Sequence, residues 1–189
     1  MDNLRRFRIK YRLNETDLSL LLANMEVEYF TKNAHLIEEG RCNNNLYLIE
    51  EGVLRCHGTI EGQDNTWWFI LPGDITFSSW GYVNGGRSHM SIEAMTDVKA
   101  YVISKETLNM LYESSLRMAN LGRRLIEQYC LQYDESMLNY EKPTASERYE
   151  NLLKQYPRIL QEVPLQYIAS YLRITPQSLS RIRAEIRKK

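Results

Sequence analysis

From Lys105 to Lys142 the chain runs without a proline and with helical periodicity, and no other feature limits its possible folds as strongly. Tyr112, Leu116, Ala119, Arg123, Ile126, Cys130, Tyr133 and Met137 recur at steps of four and three, a heptad seam with one polar member, Arg123. A second stripe, Leu111, Met118 and Leu125, falls on another face. One globular body covers only one side of so long a helix. Two stripes therefore predict that one packs on the rest of the chain and the other on a second copy, making a parallel homodimer; the alternative is a helix buried twice within one chain. Gly122 costs about 1 kcal/mol of helix propensity, which is tolerated where two backbones approach closely.

The texture before this helix is different. From Glu26 to Ile103, short apolar runs such as Leu46 to Ile49, Trp67 to Leu71 and Val98 to Ile103 alternate with Gly40, Asn43-Asn44-Asn45, Gly52, Glu61-Gly62, Pro72-Gly73-Asp74 and Gly85-Gly86. Strands at this spacing, with turn residues between them, predict an antiparallel β-sandwich or barrel. Ahead of it, Asn14 to Met25 reads as a capped amphipathic helix. Behind the long helix, Lys142-Pro143-Thr144 breaks the pattern, and a new helix starts either at a Thr144/Glu147 capping box or slightly later at Ser146, running to Gln155 or Tyr156 before Pro157. The predicted organisation is α+β, with residues 1–105 as an N-terminal helix plus β-domain, 106–141 as a dimerisation helix and 142–189 as a C-terminal helical domain.

Of the 189 residues, 43% are hydrophobic and 25% charged, enough to bury a core, and no apolar run is long enough to cross a bilayer or serve as a signal peptide. A cytoplasmic location is expected. Net charge is zero but uneven: residues 143–189 hold nine Lys/Arg against four Asp/Glu, leaving fifteen against twenty before them. A basic module on an acidic body predicts a polyanionic partner at one end. Cys42, Cys56 and Cys130 are odd in number and contain no C-x-x-C pair, so free buried thiols are expected rather than disulfides or zinc. His35, His57 and His89 are scattered, none at metal-ligand spacing from another. No nucleophile or acid–base constellation suggests an enzyme, and no cofactor or metal is expected.

Val163 to Arg183 reads as helix, tight turn, helix. Pro164 and Pro176 suit first helical positions, and Thr175 suits the cap of the second helix. Ile168, Leu172, Ile174, Leu179, Ile182 and Ile186 supply a shared core, with Ala169 small where the helices cross. Gln177, Ser178, Arg181 and Glu185 then fall on the outer face of the second helix. Arginine pairs with guanine, glutamine with adenine and hydroxyls with either, so this face suits base edges in a DNA major groove, while Thr175 and the helix start suit a phosphate. The expected DNA-binding residues are Thr175, Gln177, Ser178, Ser180 and Arg181.

At this point the sequence resembles a known family over nearly its whole length. Leu36-Ile37-Glu38-Glu39-Gly40, Leu46 to Gly52, Leu71-Pro72-Gly73-Asp74, Arg87-Ser88, Ile168 to Leu172 and Leu179 to Arg183 follow one another as in the cyclic-AMP receptor protein / fumarate-nitrate reduction regulator superfamily. The resemblance implies an N-terminal jelly-roll, cyclic-nucleotide-binding-like sensor domain, a long dimerisation helix and a C-terminal helix-turn-helix. It also implies a homodimeric transcription regulator that binds an inverted-repeat operator in double-stranded DNA and works with RNA polymerase. A module that binds cyclic nucleotides and regulates another protein is the alternative.

Departures from the family pattern shape the expected site. Arg87 and Ser88 match the pair that holds the cyclic phosphate in cyclic-AMP-binding relatives and are the expected effector-binding residues. Those relatives also place a carboxylate for the ribose just after the Pro-Gly-Asp turn, where this chain has Ile75-Thr76-Phe77-Ser78-Ser79. The effector is therefore expected not to be cyclic AMP. The iron–sulfur relatives need an N-terminal cysteine cluster, which is absent here. Trp67, Trp68, Phe69, Phe77, Trp80 and Tyr82 fit either a β-domain core or a pocket for a flat or apolar effector.

Overall fold

The computed structural model describes residues 3–141 and 144–186, with only the backbone for 132 and 135–141. Two short helices, α1 (Asn3–Lys10) and α2 (Glu15–Leu22), precede eight strands: β1 (Glu26–Phe30), β2 (His35–Ile37), β3 (Asn45–Glu51), β4 (Leu54–Ile60), β5 (Gln63–Ile70), β6 (Ile75–Phe77), β7 (Ser91–Ala94) and β8 (Val98–Ser104). A one-and-a-half-turn helix, α3 (Ser79–Asn84), interrupts the strands. The strands form two antiparallel four-stranded sheets, ordered β1-β8-β3-β6 and β2-β7-β4-β5, the antiparallel sandwich expected from the turn spacing and the jelly roll that the family resemblance implies.

Side-chain alternation in β3 explains why its sequence is apolar throughout. Tyr47 and Ile49 face the second sheet, joining Leu54, Cys56, Ile92 and Val102 between the layers. Leu46 and Leu48 point the other way, onto Phe7, Tyr11, Leu21, Leu108 and Leu125 of the helices. A strand covered on both faces has no solvent side and shows no polar alternation. Gly52 makes the following turn at φ 91°, where an added Cβ would sit 2.4 Å from the Asp97 carbonyl oxygen. Only glycine fits there.

The expected single helix over 106–141 is two helices, α4 (Lys105–Ser114) and α5 (Leu116–Glu141). Ser115 between them is extended, with φ −164° and ψ 150°, and its Oγ accepts a hydrogen bond from the Met118 N–H at 3.3 Å, as a cap does. The fold-back lays Tyr112 on Gly122. A Cβ at position 122 would meet the ring at 2.7 Å, so the glycine accommodates an aromatic ring of its own chain and not a second backbone. Tyr112 thus leaves the seam. Of the other stripe, Met118 and Leu125 are buried against the β-domain, with Leu111 packed beside them.

Four further helices follow: α6 (Ala145–Gln155), α7 (Ile159–Glu162), α8 (Leu165–Tyr171) and α9 (Pro176–Ile186). Of the two possible starts for α6, the structure has the capping box, with Thr144 as cap and the Glu147 carboxylate accepting from the Thr144 N–H. The C-terminal helices share a core of Tyr149, Leu152, Ile159, Val163, Ile168, Leu172 and Leu179. Val53, Phe69, Leu71 and Met95 of the β-domain belong to that same core, so the helices dock on the second sheet. Among the described residues, no helix is long and apolar enough to cross a membrane. Of the three free thiols only Cys56 is buried, contrary to expectation, while Cys42 and Cys130 are exposed.

Candidate functional site

A cavity of about 570 Å³ opens where β-domain, α5 and C-terminal helices meet. Its walls are mainly apolar: Ile60, Trp67, Trp68, Trp80, Met90 and Tyr129, with Tyr133 from farther along α5. Polar groups come from Ser78, Ser79, Ser88 and His89, and one cation, Arg173, reaches in from the turn before α9. None of the described lining residues is acidic. Burial raises the pKa of the Tyr129 hydroxyl, which remains a proton donor at neutral pH.

The aromatic residues divide between the two roles their sequence allowed. Trp67, Trp68 and Trp80 line the cavity. Phe77 and Tyr82 pack in the helix-facing core, and Phe69 in the C-terminal one, its ring 5.3 Å from that of Tyr171. The carboxylate nearest in sequence, Asp74, is committed elsewhere: Oδ2 accepts from the Leu71 N–H at 3.0 Å, and Oδ1 lies 2.8 Å from Lys10 Nζ. Ser78 caps α3 by accepting from the Gly81 N–H at 3.2 Å.

The expected phosphate pair is not gathered on this cavity. Ser88 lines it, but its hydroxyl donates to the Met90 carbonyl at 2.7 Å. Arg87 is exposed, donates to the Gly40 carbonyl at 2.8 Å and is not among the lining residues. The signal that sequence reasoning missed is Arg173, whose φ of 52° comes from the turn between α8 and α9, about a hundred residues from the tryptophans it joins.

The docking of α8 on β5 is polar as well as apolar. The Thr66 N–H donates to Ser170 Oγ at 2.9 Å. The Arg55 guanidinium, almost fully buried, lies 3.7 Å above the Tyr167 ring while binding Asp64 at 2.7 Å and Glu93 at 2.8 Å. Beyond the dock, α9 presents an outer polar face. Thr175 Oγ1 accepts from the Ser178 N–H at 3.2 Å and lies 3.0 Å from the Ser178 hydroxyl, while Leu179 is buried inward. Gln177, Ser180 and Arg181 are exposed; the Ser180 hydroxyl donates back to the Pro176 carbonyl at 3.0 Å. Among the described residues no carboxylate pairs with Arg181.

The seam residues on α5 stand on its outward face. Leu116 is 81%, Tyr133 48% and Ile126 42% exposed, and Ala119 and Cys130 are exposed with them. The Met137 side chain lies outside the described residues.

Residues 27–115 match the family described as cyclic nucleotide-binding domain. No curated protein matches the chain by sequence. Among solved structures, FixK2 from Bradyrhizobium japonicum superposes with a TM-score of 0.72 at 20% identity, covering 87% of this chain and 85% of its own. The c-di-GMP responsive global regulator CLP of Xanthomonas campestris gives 0.64 at 11% identity, covering 93% and 92%. The catabolite activator protein of Thermus thermophilus gives 0.59 at 17% identity, covering 93% and 84%. Residues 27–115 thus resemble a cyclic nucleotide-binding domain, and the chain as a whole shares its fold with these three proteins.

Proposed function

We propose that the protein is a homodimeric, sequence-specific DNA-binding transcriptional regulator whose cyclic-nucleotide-type domain takes an effector other than cyclic AMP. The observation that carries the reading is the α8–turn–α9 unit. Its second helix is capped by Thr175, anchored by Leu179 and leaves Gln177, Ser180 and Arg181 exposed along one side, as a helix needs to be when it enters a major groove. The positive balance of residues 143–189 adds attraction to the phosphates. Thr175 and Ser178 hold the helix start, where backbone N–H groups meet a phosphate, and Gln177, Ser180 and Arg181 read base edges.

Dimerisation is supported by the outward stripe of α5. Leu116, Ala119, Ile126 and Cys130 are exposed among the described residues, and a parallel pairing of two such helices buries them. Two-fold symmetry then sets an inverted-repeat operator with half-sites about 34 Å apart, the one-turn spacing of dimeric helix-turn-helix proteins as a class. RNA polymerase is the partner through which such a regulator acts. The absence of an acidic residue among the described lining residues, and the turning of Arg87 onto Gly40, speak against a cyclic nucleotide in the cavity. Three tryptophans suit a flat, largely apolar effector. Sequencing the DNA recovered with the protein from its own cells, followed by fluorescence-anisotropy titration of the enriched sequence, tests the reading. Binding no tighter than to scrambled DNA overturns it.

A further inference from the structure

The outer face of the second sheet carries, beside the Arg55 contact with α8, a cluster that the cavity does not use. Strand β7 runs between β2 and β4, and Glu93 on it stands opposite His35 on one side and Arg55 on the other. His57, two residues beyond Arg55 on β4, projects from the same face. Three residues spread over almost sixty positions are thereby collected: one donor atom from each of His35, His57 and Glu93 lies within 4.8 Å of the others.

His57 is held in an orientation suited to ligation. Its Nδ1 is 3.0 Å from Asp64 Oδ1, so Nδ1 carries the proton that the carboxylate accepts, and the lone pair is left on Nε2. Nε2 is buried without a hydrogen-bond partner and faces Glu93 Oε2 at 3.8 Å. Glu93 Oε2 already accepts from Arg55 at 2.8 Å, so the under-satisfied electron pair is the one on His57 Nε2, and a proton or a cation is what satisfies it.

We propose that His35, His57 and Glu93 bind a divalent first-row transition-metal ion such as Zn²⁺, with Asp64 as a positioning residue behind His57. Two imidazoles and one carboxylate select zinc, nickel, copper or iron over magnesium or calcium, which take oxygen ligands. Three protein ligands leave a further position to water. Arg55 binds the same Glu93 carboxylate through Oε2, but a carboxylate has a second oxygen, and Asp64 and Glu93 together outweigh the single guanidinium. In a tetrahedral site with bonds of 2.0–2.1 Å, neighbouring donors stand about 3.3 Å apart. Closing from the observed spread takes a movement of about 1.5 Å, which rotation of the exposed His35 side chain supplies.

The test uses the tag-free 189-residue protein, stripped with chelator and titrated with ZnCl₂ by calorimetry, with Co²⁺ absorption in the visible as a second readout. One ion per chain is expected. His35→Ala changes an exposed residue and leaves the fold intact by circular dichroism; it weakens Zn²⁺ binding at least tenfold and abolishes the Co²⁺ bands. Asp64→Asn weakens binding by about ten- to a hundredfold, the usual effect of losing the carboxylate behind a ligating histidine. Zn²⁺ affinity that is equal in the parent protein and His35→Ala, whether both bind or neither does, overturns the site.

Discussion

Replacing Arg55 with methionine keeps most of the aliphatic volume and removes the charge at the seam between the β-domain and α8. The structure divides the cost into three parts. The bond to Glu93, at 2.8 Å and with that carboxylate only 14% exposed, contributes about 1.5–3 kcal/mol as a charged hydrogen bond in a poorly solvated place. Asp64 is 47% exposed, so its bond at 2.7 Å is screened and adds no more than about 1 kcal/mol. The guanidinium over Tyr167 at 3.7 Å, desolvated on both sides, adds about 1–2 kcal/mol. The expected loss is about 3–5 kcal/mol, the range seen when one partner of a buried pair is removed. In a chain of this size that lowers Tm by roughly 6–20 °C. Thermal unfolding followed by circular dichroism, with chelator present so that no metal contributes, measures it. A double-mutant cycle with Tyr167→Leu should return a coupling of about 1–2 kcal/mol, because the stacking is lost only once. A loss below 1 kcal/mol together with zero coupling would show that α8 is not held on the sheet by Arg55.

Ile126→Asp places a charge in the outward stripe of α5 and should convert dimers to monomers at micromolar concentration. Light scattering checks this, and a monomeric parent protein would remove the seam as an interface. Arg181→Ala should cost about 1–3 kcal/mol of operator affinity and relax one base preference, whereas deleting Lys188 and Lys189, outside the described residues, should mainly flatten the salt dependence. Anisotropy against a panel of single-base variants at several salt concentrations separates the two effects, and equal loss of specificity in both proteins contradicts the division. Cyclic AMP should bind about tenfold to a few hundredfold more weakly than to a site with a ribose carboxylate, since losing a charged acceptor costs about 1.5–3 kcal/mol and an unpaired donor adds to it. Calorimetric binding at micromolar strength that also tightens operator binding would refute this.

Much of the fold is written in local pattern. The glycine- and asparagine-rich turns mark out the β-domain, Thr144 and Glu147 mark one of the two starts open to α6 and the one the structure takes, and the spacing of Met118 and Leu125 identifies the face of α5 that meets the β-domain. Helix α1 was not legible. Its sequence is dominated by arginine and lysine, and it is held by Phe7 alone among its residues being buried, a contact that no periodicity announces. The break at Ser115 was hidden for a related reason: serine is tolerated within a helix, and only the packing of Tyr112 onto Gly122 makes the fold-back the better arrangement.

The sequence by itself determined the order of modules, the apolar stripe along α5 and the polar outer face of α9, because each depends on residues within a few positions of one another. Tertiary structure alone decided which aromatic residues face the cavity, that Arg173 joins them, that Arg87 turns to the Gly40 carbonyl and that His35, His57 and Glu93 share one sheet face. The physical reason is non-local pairing. The order β2-β7-β4-β5 and the docking of α8 on β5 bring together residues tens to a hundred positions apart, and side-chain spacing along a chain holds no record of which strand will lie beside which.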